Sequence, residues 1–230
     1  MSTIDLVMLD CDGVLIDSEF IAAQVECERY AAEGYEMTVE EFSERFAGLS
    51  EERIAAAIGE ELGRSFPADF AAETTRLVTE RIAEEVEPID GVERMLAGLS
   101  RPLCVCSNSS TDQLRRSLGR AGLWDTLAEH IFSARDLGTD RMKPAPDVFV
   151  KAAEAMGVDP HRAVAVEDSA HGVEAARAAG ARVIGFTGGR HSWNGHADAL
   201  TDAGAATVVA RHADLPATID ALAGWDELAM

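Results

Sequence analysis

Short, mainly apolar runs are the feature of this 230-residue sequence that most restricts its fold. Each run is four or five residues long, which suits a strand buried on both faces of a sheet better than a helix. Such runs lie at 6–9, 102–106, 163–166, 182–186 and 206–209, with a shorter candidate at 130–132. Helix-like segments separate several of them, at 111–121, 146–156 and 170–179. The alternation predicts an α/β fold with a parallel sheet covered on both faces.

Residues 18–88 break this alternation. They contain no strand-like run and show helical spacing at 19–34, 39–46, 50–62 and 67–85. Residues 17–88 also carry 19 acidic and 6 basic side chains. We therefore expect an all-helical cap domain at 17–88, inserted into a discontinuous core made of 1–16 and 89–230.

The net charge of −21 limits the partners that the chain can bind. A strongly acidic protein repels nucleic acid and anionic membrane surfaces, so neither is an expected partner. Cys104 and Cys106 alternate within an apolar run, which predicts buried strand thiols and no disulfide. Reduced cysteines, the lack of a signal-peptide pattern and the lack of a membrane-spanning apolar run favour a cytoplasmic location.

Polar motifs are associated with four of the predicted strands. Because ligands of open α/β sheets bind at the carboxyl ends of the strands, these motifs should converge on one crevice. A lone pair of aspartates around a glycine would be explained equally well by a solvated turn, but four motifs in this order indicate a functional site. In chain order they are Asp10-Cys11-Asp12-Gly13, Ser107-Asn108, Lys143-Pro144 and Glu167-Asp168.

These side chains suit phosphoryl transfer. Asp10 can attack phosphorus to form an aspartyl phosphate, and Asp12 can protonate the leaving oxygen and later activate water. Mg²⁺, which prefers oxygen ligands, would be bound by Asp10, Asp168 and one carbonyl. Lys143 would balance negative charge, and Ser107 with nearby backbone N–H groups would hold phosphate oxygens.

The same four motifs resemble those of the haloacid dehalogenase superfamily, in the branch with a helical cap that includes β-phosphoglucomutases and many sugar phosphatases. The resemblance implies a Rossmann-like core, with Asp10 as nucleophile and Asp12 as acid/base. It also implies a metal site and a phosphate site. The implied metal ligands are Asp10, the Asp12 carbonyl and Asp168, with Glu167 in support, and the implied phosphate contacts are Ser107, Asn108 and Lys143.

Two differences from the mutases indicate which of these reactions the chain catalyses. The mutases have a cap histidine at the position of Ala22 and basic residues in the loop that matches 47–51, where this chain has no cation. We therefore expect simple hydrolysis of a small phosphorylated sugar, sugar acid or polyol. The segment Cys104–Asn108 and the cap loop loosely resemble bacterial phosphatases that act on 6-phosphogluconate. A β-phosphoglucomutase-like phosphomutase is the alternative enzyme, and a phospho-acceptor receiver domain is the non-enzyme alternative.

Other candidate residues have simpler explanations. The loop Gly188–His191 suits a phosphate cradle, although a plain turn is the more usual role of such glycines. His191 and His196 are possible ligands, but loop histidines are usually solvated. Arg45 and Arg53 either meet substrate or pair with neighbouring glutamates, and pairing is the more usual outcome.

Overall fold

The computed structural model describes residues 4–224. Its centre is a six-stranded sheet, parallel throughout, in the order β3-β2-β1-β4-β5-β6. Every predicted strand forms, with ends within one residue of those expected, so the predicted α/β fold is confirmed. The strands are β1 Leu6–Leu9, β2 Leu103–Ser107, β3 Ile131–Ser133, β4 Ala163–Glu167, β5 Arg182–Phe186 and β6 Thr207–Val209.

Strand β1 is the central strand that places the site. Val7 and Leu9 pack into one apolar layer, and Leu6 and Met8 into the other, as the two-residue side-chain period of a strand requires. Leu9 is level with Val105 of β2 and Val166 of β4. The residues that follow these positions therefore meet at one edge of the sheet.

Twelve α-helices within residues 4–224 surround the sheet or form the insertion. The sequence predicted the four helices of the insertion and three of the core, at 111–121, 146–156 and 170–179, whereas the other five helices of the core had no prediction. The insertion holds α1 Ser18–Ala32, α2 Val39–Phe46, α3 Glu51–Leu62 and α4 Phe70–Glu85. The core holds α5 Val92–Gly98, α6 Thr111–Arg120, α7 Trp124–Leu127, α8 Ala134–Leu137, α9 Asp147–Met156, α10 Ala170–Ala178, α11 His196–Ala203 and α12 Leu215–Gly224. Within residues 4–224, no helix is long and apolar enough to cross a bilayer.

Helices α1–α4 pack around an apolar cluster of their own. Tyr30 lies at its centre, with ring centroids 5.5 Å from Phe66 and 5.4 Å from Phe70. Its other buried members include Phe42 and Ile58. The insertion therefore buries its apolar faces internally and leaves most of its acidic side chains outside this cluster, except Glu51, which is buried and accepts a hydrogen bond from the Tyr30 hydroxyl.

The chain enters and leaves the insertion through two segments that pair with each other. Ile16 forms an antiparallel bridge with Pro88. The Asp17 N–H donates to the Glu87 carbonyl at 3.1 Å, and the Ile89 N–H donates to the Leu15 carbonyl at 3.0 Å. This short ribbon fixes the insertion to the core a few residues beyond the end of β1.

Candidate active site

Asp10 follows the last residue of β1 and is only 7% exposed. The Lys143 ammonium donates to Asp10 Oδ1 at 2.9 Å, to Glu167 Oε1 at 2.6 Å and to the Cys106 carbonyl at 2.8 Å. One buried cation is thus shared by two buried carboxylates, and all three of its donors are used.

Burial raises the pKa of Asp10 to about 7, with further contributions from the charges of Asp168 and Asp12 and opposition from Lys143. Burial also raises the pKa of Glu167. For Lys143 burial acts in the other direction, but the nearby Asp10 and Glu167 carboxylates outweigh it and raise its pKa. The site holds more negative charge than one ammonium can neutralise.

Asp10, Glu167 and Asp168 could hold a metal ion. One oxygen from each lies within 4.8 Å of the others. Glu167 is fully buried, and its Oε2 has no hydrogen-bond partner among the described residues. A buried carboxylate oxygen without a donor is costly, and a hard divalent cation would satisfy it. These donors fit Mg²⁺, the ion expected from the sequence.

Asp12 is held by hydroxyl groups. Ser18 donates to its Oδ1 at 2.7 Å, and Ser109 and Ser107 donate to its Oδ2 at 2.8 and 3.3 Å. Asp12 does not join the three-carboxylate cluster, so its carboxyl group is separate from the candidate metal ligands. This arrangement leaves it available for proton transfer beside Asp10.

Ser107 and Asn108 shape the neighbouring loop. The Ser109 N–H donates to Ser107 Oγ at 3.0 Å, and the Lys143 N–H donates to Asn108 Oδ1 at 2.8 Å. Asn108 therefore ties the second motif to the third. Lys143 itself lies ten residues beyond the end of β3 and not directly at the strand end, because α8 and a short 3₁₀ turn intervene.

The first motif ends in glycine because position 13 has no room for a side chain. Its φ is +74°, and a Cβ there would lie 1.8 Å from Asp168 Oδ2 and 3.0 Å from His191 Cε1. Both the left-handed backbone and the close approach of Asp168 exclude a side chain. The glycine therefore allows the first and fourth motifs to touch.

Comparison with known proteins identifies the family, since residues 4–180 match the haloacid dehalogenase-like hydrolases. The chain belongs to this family. It is 30% identical over 193 residues to the 6-phosphogluconate phosphatase of Escherichia coli K12, which covers 84% of this chain and 86% of that protein. This confirms the predicted phosphoric monoester hydrolase of the haloacid dehalogenase superfamily.

Two solved structures of this family resemble the chain over nearly its whole length. One is a haloacid dehalogenase-like protein of unknown function from Agrobacterium tumefaciens, with a TM-score of 0.93, 50% identity and coverage of 95% and 99% of the two chains. The other is a haloacid dehalogenase family hydrolase from Deinococcus radiodurans with bound phosphate and sodium. Its TM-score is 0.81 at 33% identity, with coverage of 97% and 98%.

The loop Gly188–His191 contributes to the site of this haloacid dehalogenase-like chain. His191 Nε2 lies 3.0 Å from Asp168 Oδ2, and His196 Nε2 lies 2.7 Å from the Asp168 carbonyl. Burial would lower the pKa of His191, but the hydrogen bond to Asp168 and the Asp168 charge raise it. Both histidines are buried, so the expectation that they are solvated is wrong.

Sequence reasoning missed several residues that support this haloacid dehalogenase site. Ser18 and Ser109 hold Asp12, and Asp17 pairs with Arg190, whose guanidinium also lies 4.2 Å from the Phe20 ring. Ser109 directly follows the second motif, which was the available signal, whereas Ser18 lies five residues beyond Gly13. The Asp17–Arg190 pair joins residues 173 positions apart, and a single sequence carries no signal for it.

Proposed function

We propose that this chain is a Mg²⁺-dependent phosphatase that hydrolyses a small phosphorylated sugar, sugar acid or polyol through an aspartyl-phosphate intermediate. The observation that carries the proposal is the buried Asp10, paired with Lys143 and adjoining Glu167 and Asp168. The phosphate bound in the Deinococcus relative agrees with it. All four cysteines are free thiols, which supports a cytoplasmic location.

In the first step a carboxylate oxygen of Asp10 attacks phosphorus, and the bond from phosphorus to the leaving oxygen breaks. The Asp12 carboxyl group gives its proton to that oxygen, so the leaving group departs as a neutral alcohol. In the second step Asp12 accepts a proton from water as the water oxygen attacks phosphorus. Phosphate is released, and the Asp10 carboxylate is regenerated.

The remaining groups orient the reacting carboxylates and bind the phosphate and the metal ion. Lys143 holds Asp10 in place and balances its charge, and His191 fixes the orientation of Asp168. We assign phosphate contacts to Ser107, Asn108 and Lys143. Asp10, the Asp12 carbonyl and Asp168, with Glu167 in support, would hold Mg²⁺, which would supply positive charge to the phosphate oxygens.

We also propose that residues 17–88 act as a cap that closes over the site, with the paired segments around Ile16 and Pro88 as the hinge. The loop that contains Gly48 reaches His171 of α10, which lies beside the site. Closure of this kind would exclude bulk water during leaving-group departure. Ala22, which has no polar group in its side chain, argues against the phosphomutase alternative.

Asp10→Asn tests this function. The carboxamide is nearly isosteric but a poor nucleophile, so phosphate release from a panel of sugar, sugar-acid and polyol phosphates should fall at least about a thousandfold. Asp125→Asn, at an exposed position, is the matched control and should retain activity. Chelation of divalent ions should abolish wild-type turnover, and added Mg²⁺ should restore it. Turnover by Asp10→Asn comparable to wild type would refute the proposal.

A further inference from the structure

A cavity beside Asp12 lies between the cap and the core. Its walls are α4, the last helix of the cap, and α6 of the core, and these two helices pack against each other. On each helix the lining residues are spaced i, i+3 and i+4, so each helix turns one face to the cavity. They are Thr79, Ile82 and Ala83 on α4, and Gln113, Arg116 and Ser117 on α6.

The position of Asp12 relates this cavity to the leaving group. In the proposed first step Asp12 gives its proton to the oxygen that leaves phosphorus, and Asp12 is itself part of the cavity lining. The leaving group is bonded to that oxygen, so it must occupy space beside the Asp12 carboxyl group. The cavity between α4 and α6 provides such space.

Arg116 brings a positive charge to this cavity. It is exposed, and within residues 4–224 its guanidinium forms no ion pair and no hydrogen bond. Two other arginines of α6 are engaged, since Arg115 lies 5.8 Å from the Trp124 ring centroid and Arg120 donates to the Glu84 carbonyl at 2.8 Å. Arg116 is therefore free to pair with an anionic group of a ligand.

The arginines of the cap do not provide such a cation. Arg76 and Arg81 of α4 are each paired with a glutamate. Arg45 is paired with Glu61, as its surroundings in the sequence indicated. Arg53 is exposed and is not part of the cavity lining. A negative charge on the leaving group would therefore find its partner on the core helix.

Gln113 and Thr79 add uncharged hydrogen-bonding groups on the two walls. Gln113 Oε1 accepts from the Ser110 N–H at 3.0 Å in the N-terminal cap of α6, which leaves the side-chain NH₂ group without a partner among residues 4–224. The Thr79 hydroxyl donates to the Thr75 carbonyl at 2.9 Å, so its oxygen can still accept. A chain of hydroxyl-bearing carbons suits these groups.

We propose that Arg116 binds a carboxylate on the leaving group, so that the chain selects sugar-acid phosphates over neutral sugar and polyol phosphates. The proposal rests on the phosphatase function proposed above. The planar guanidinium of arginine matches the two oxygens of a carboxylate. One guanidinium balances one carboxylate, whereas a second phosphate dianion would leave unbalanced negative charge beside Asp12.

Two esters that differ at one carbon test this selection. 6-Phosphogluconate ends in a carboxylate where sorbitol 6-phosphate ends in a hydroxymethyl group. Each is added as a competitor during hydrolysis of p-nitrophenyl phosphate by the full chain with Mg²⁺, and the concentration that halves the rate is measured. With wild type, 6-phosphogluconate should compete at a concentration at least about fivefold lower.

Arg116→Gln should reduce that ratio to less than about twofold, because glutamine keeps hydrogen-bonding groups but removes the charge. The matched control is Arg115→Gln, which removes the same charge one residue away on α6 from a side chain outside the lining, and it should keep the wild-type ratio.

A second pair of variants tests the cavity from the cap wall. Thr79→Glu places a carboxylate in the lining and should also bring the ratio below about twofold, since the new charge repels the sugar acid. Thr75→Glu adds the same charge at an exposed position of α4 outside the lining and should leave the ratio unchanged. This pair decides the question if Arg116→Gln does not fold.

The outcomes separate the two proposals. Equal or weaker competition by 6-phosphogluconate with wild type would overturn the selection while leaving the phosphatase function in place. A ratio that falls no further in folded Arg116→Gln than in its control would also overturn it. Tighter competition by fructose 1,6-bisphosphate than by 6-phosphogluconate would overturn the assignment to a carboxylate. Failure of wild type to hydrolyse p-nitrophenyl phosphate or either ester would refute the phosphatase function, and the selection with it.

Discussion

Replacing Lys143 by methionine tests the electrostatic basis of the site. Lys143 is 7% exposed, and its ammonium donates to two carboxylates that are themselves buried. Methionine keeps most of the side-chain volume but removes the charge and all three hydrogen bonds. The chain has only one other lysine, Lys151, which is exposed and pairs with Glu154 at 3.2 Å. Lys151→Met is therefore a matched control.

The size of the effect follows from what Lys143→Met leaves behind. Removing one partner of a buried ion pair costs about 3–5 kcal/mol, because the remaining charge is stranded in a medium of low dielectric constant. Here the cost is lower, since Asp10 has a pKa of about 7 and can take up a proton near neutral pH. We expect Lys143→Met to lose about 2–4 kcal/mol of unfolding free energy at pH 7, and Lys151→Met to lose less than about 0.5 kcal/mol.

Urea unfolding at pH 7 and pH 5, with divalent ions chelated, measures this loss. The pKa of Asp10 in the folded chain lies above the ordinary value of 3.8, so lowering the pH to 5 protonates Asp10 in both proteins. The ammonium then has less negative charge to balance, and the gap between wild type and Lys143→Met should narrow. A loss below about 1 kcal/mol at pH 7, or an equal loss at both pH values, would refute this account.

Two further changes test other parts of the structure. Gly13→Ala should lower both the melting temperature and phosphate release, because its Cβ would overlap Asp168 Oδ2 and its φ is positive; Gly98→Ala, where the added Cβ meets no atom within 4 Å, should do neither. Burial and the charge of Glu51 raise the pKa of Glu26, so the folded chain should lose stability as the pH rises above about 4.5 towards that raised pKa. Glu26→Gln cannot ionise, so urea unfolding at pH 5 and pH 8.5 should show it gaining stability relative to wild type as the pH rises. An identical pH dependence in both proteins would contradict the raised pKa.

The sequence predicted the sheet well because strands buried on both faces leave a simple signal. Residues Leu6–Leu9 are all apolar and all buried, and Gly13 marks the turn that follows. Helix α12 was missed because Leu215–Gly224 is mostly apolar and lacks a clear polar face. The start of α4 was placed three residues too early, since Pro67 suits a first helical turn but lies in the loop before Phe70.

The sequence could predict the parts of the candidate site that lie in short motifs, but not the contacts between residues far apart in the chain. Asp10 and Lys143 lie within hydrogen-bonding distance because β1 and β2 are neighbours and Asn108 holds the loop that contains Lys143. His191 was set aside as a solvated loop residue because its contact with Asp168 depends on the packing of a loop that follows β5. No local pattern specifies that packing, so the structure was needed to place His191.

The distribution of charge explains why the proposed catalysis needs a cation from outside the chain. All three donors of the Lys143 ammonium are taken by Asp10, Glu167 and a carbonyl, so a phosphate oxygen would have to replace one of these acceptors, and the ammonium adds little net positive charge. Asp10, Glu167 and Asp168 lie together beside it, with one oxygen of each within 4.8 Å of the others. A phosphate dianion would therefore be repelled unless a divalent ion sits among the carboxylates of the core. The unpaired buried oxygen of Glu167 lies where such an ion would relieve both the repulsion and the missing hydrogen bond.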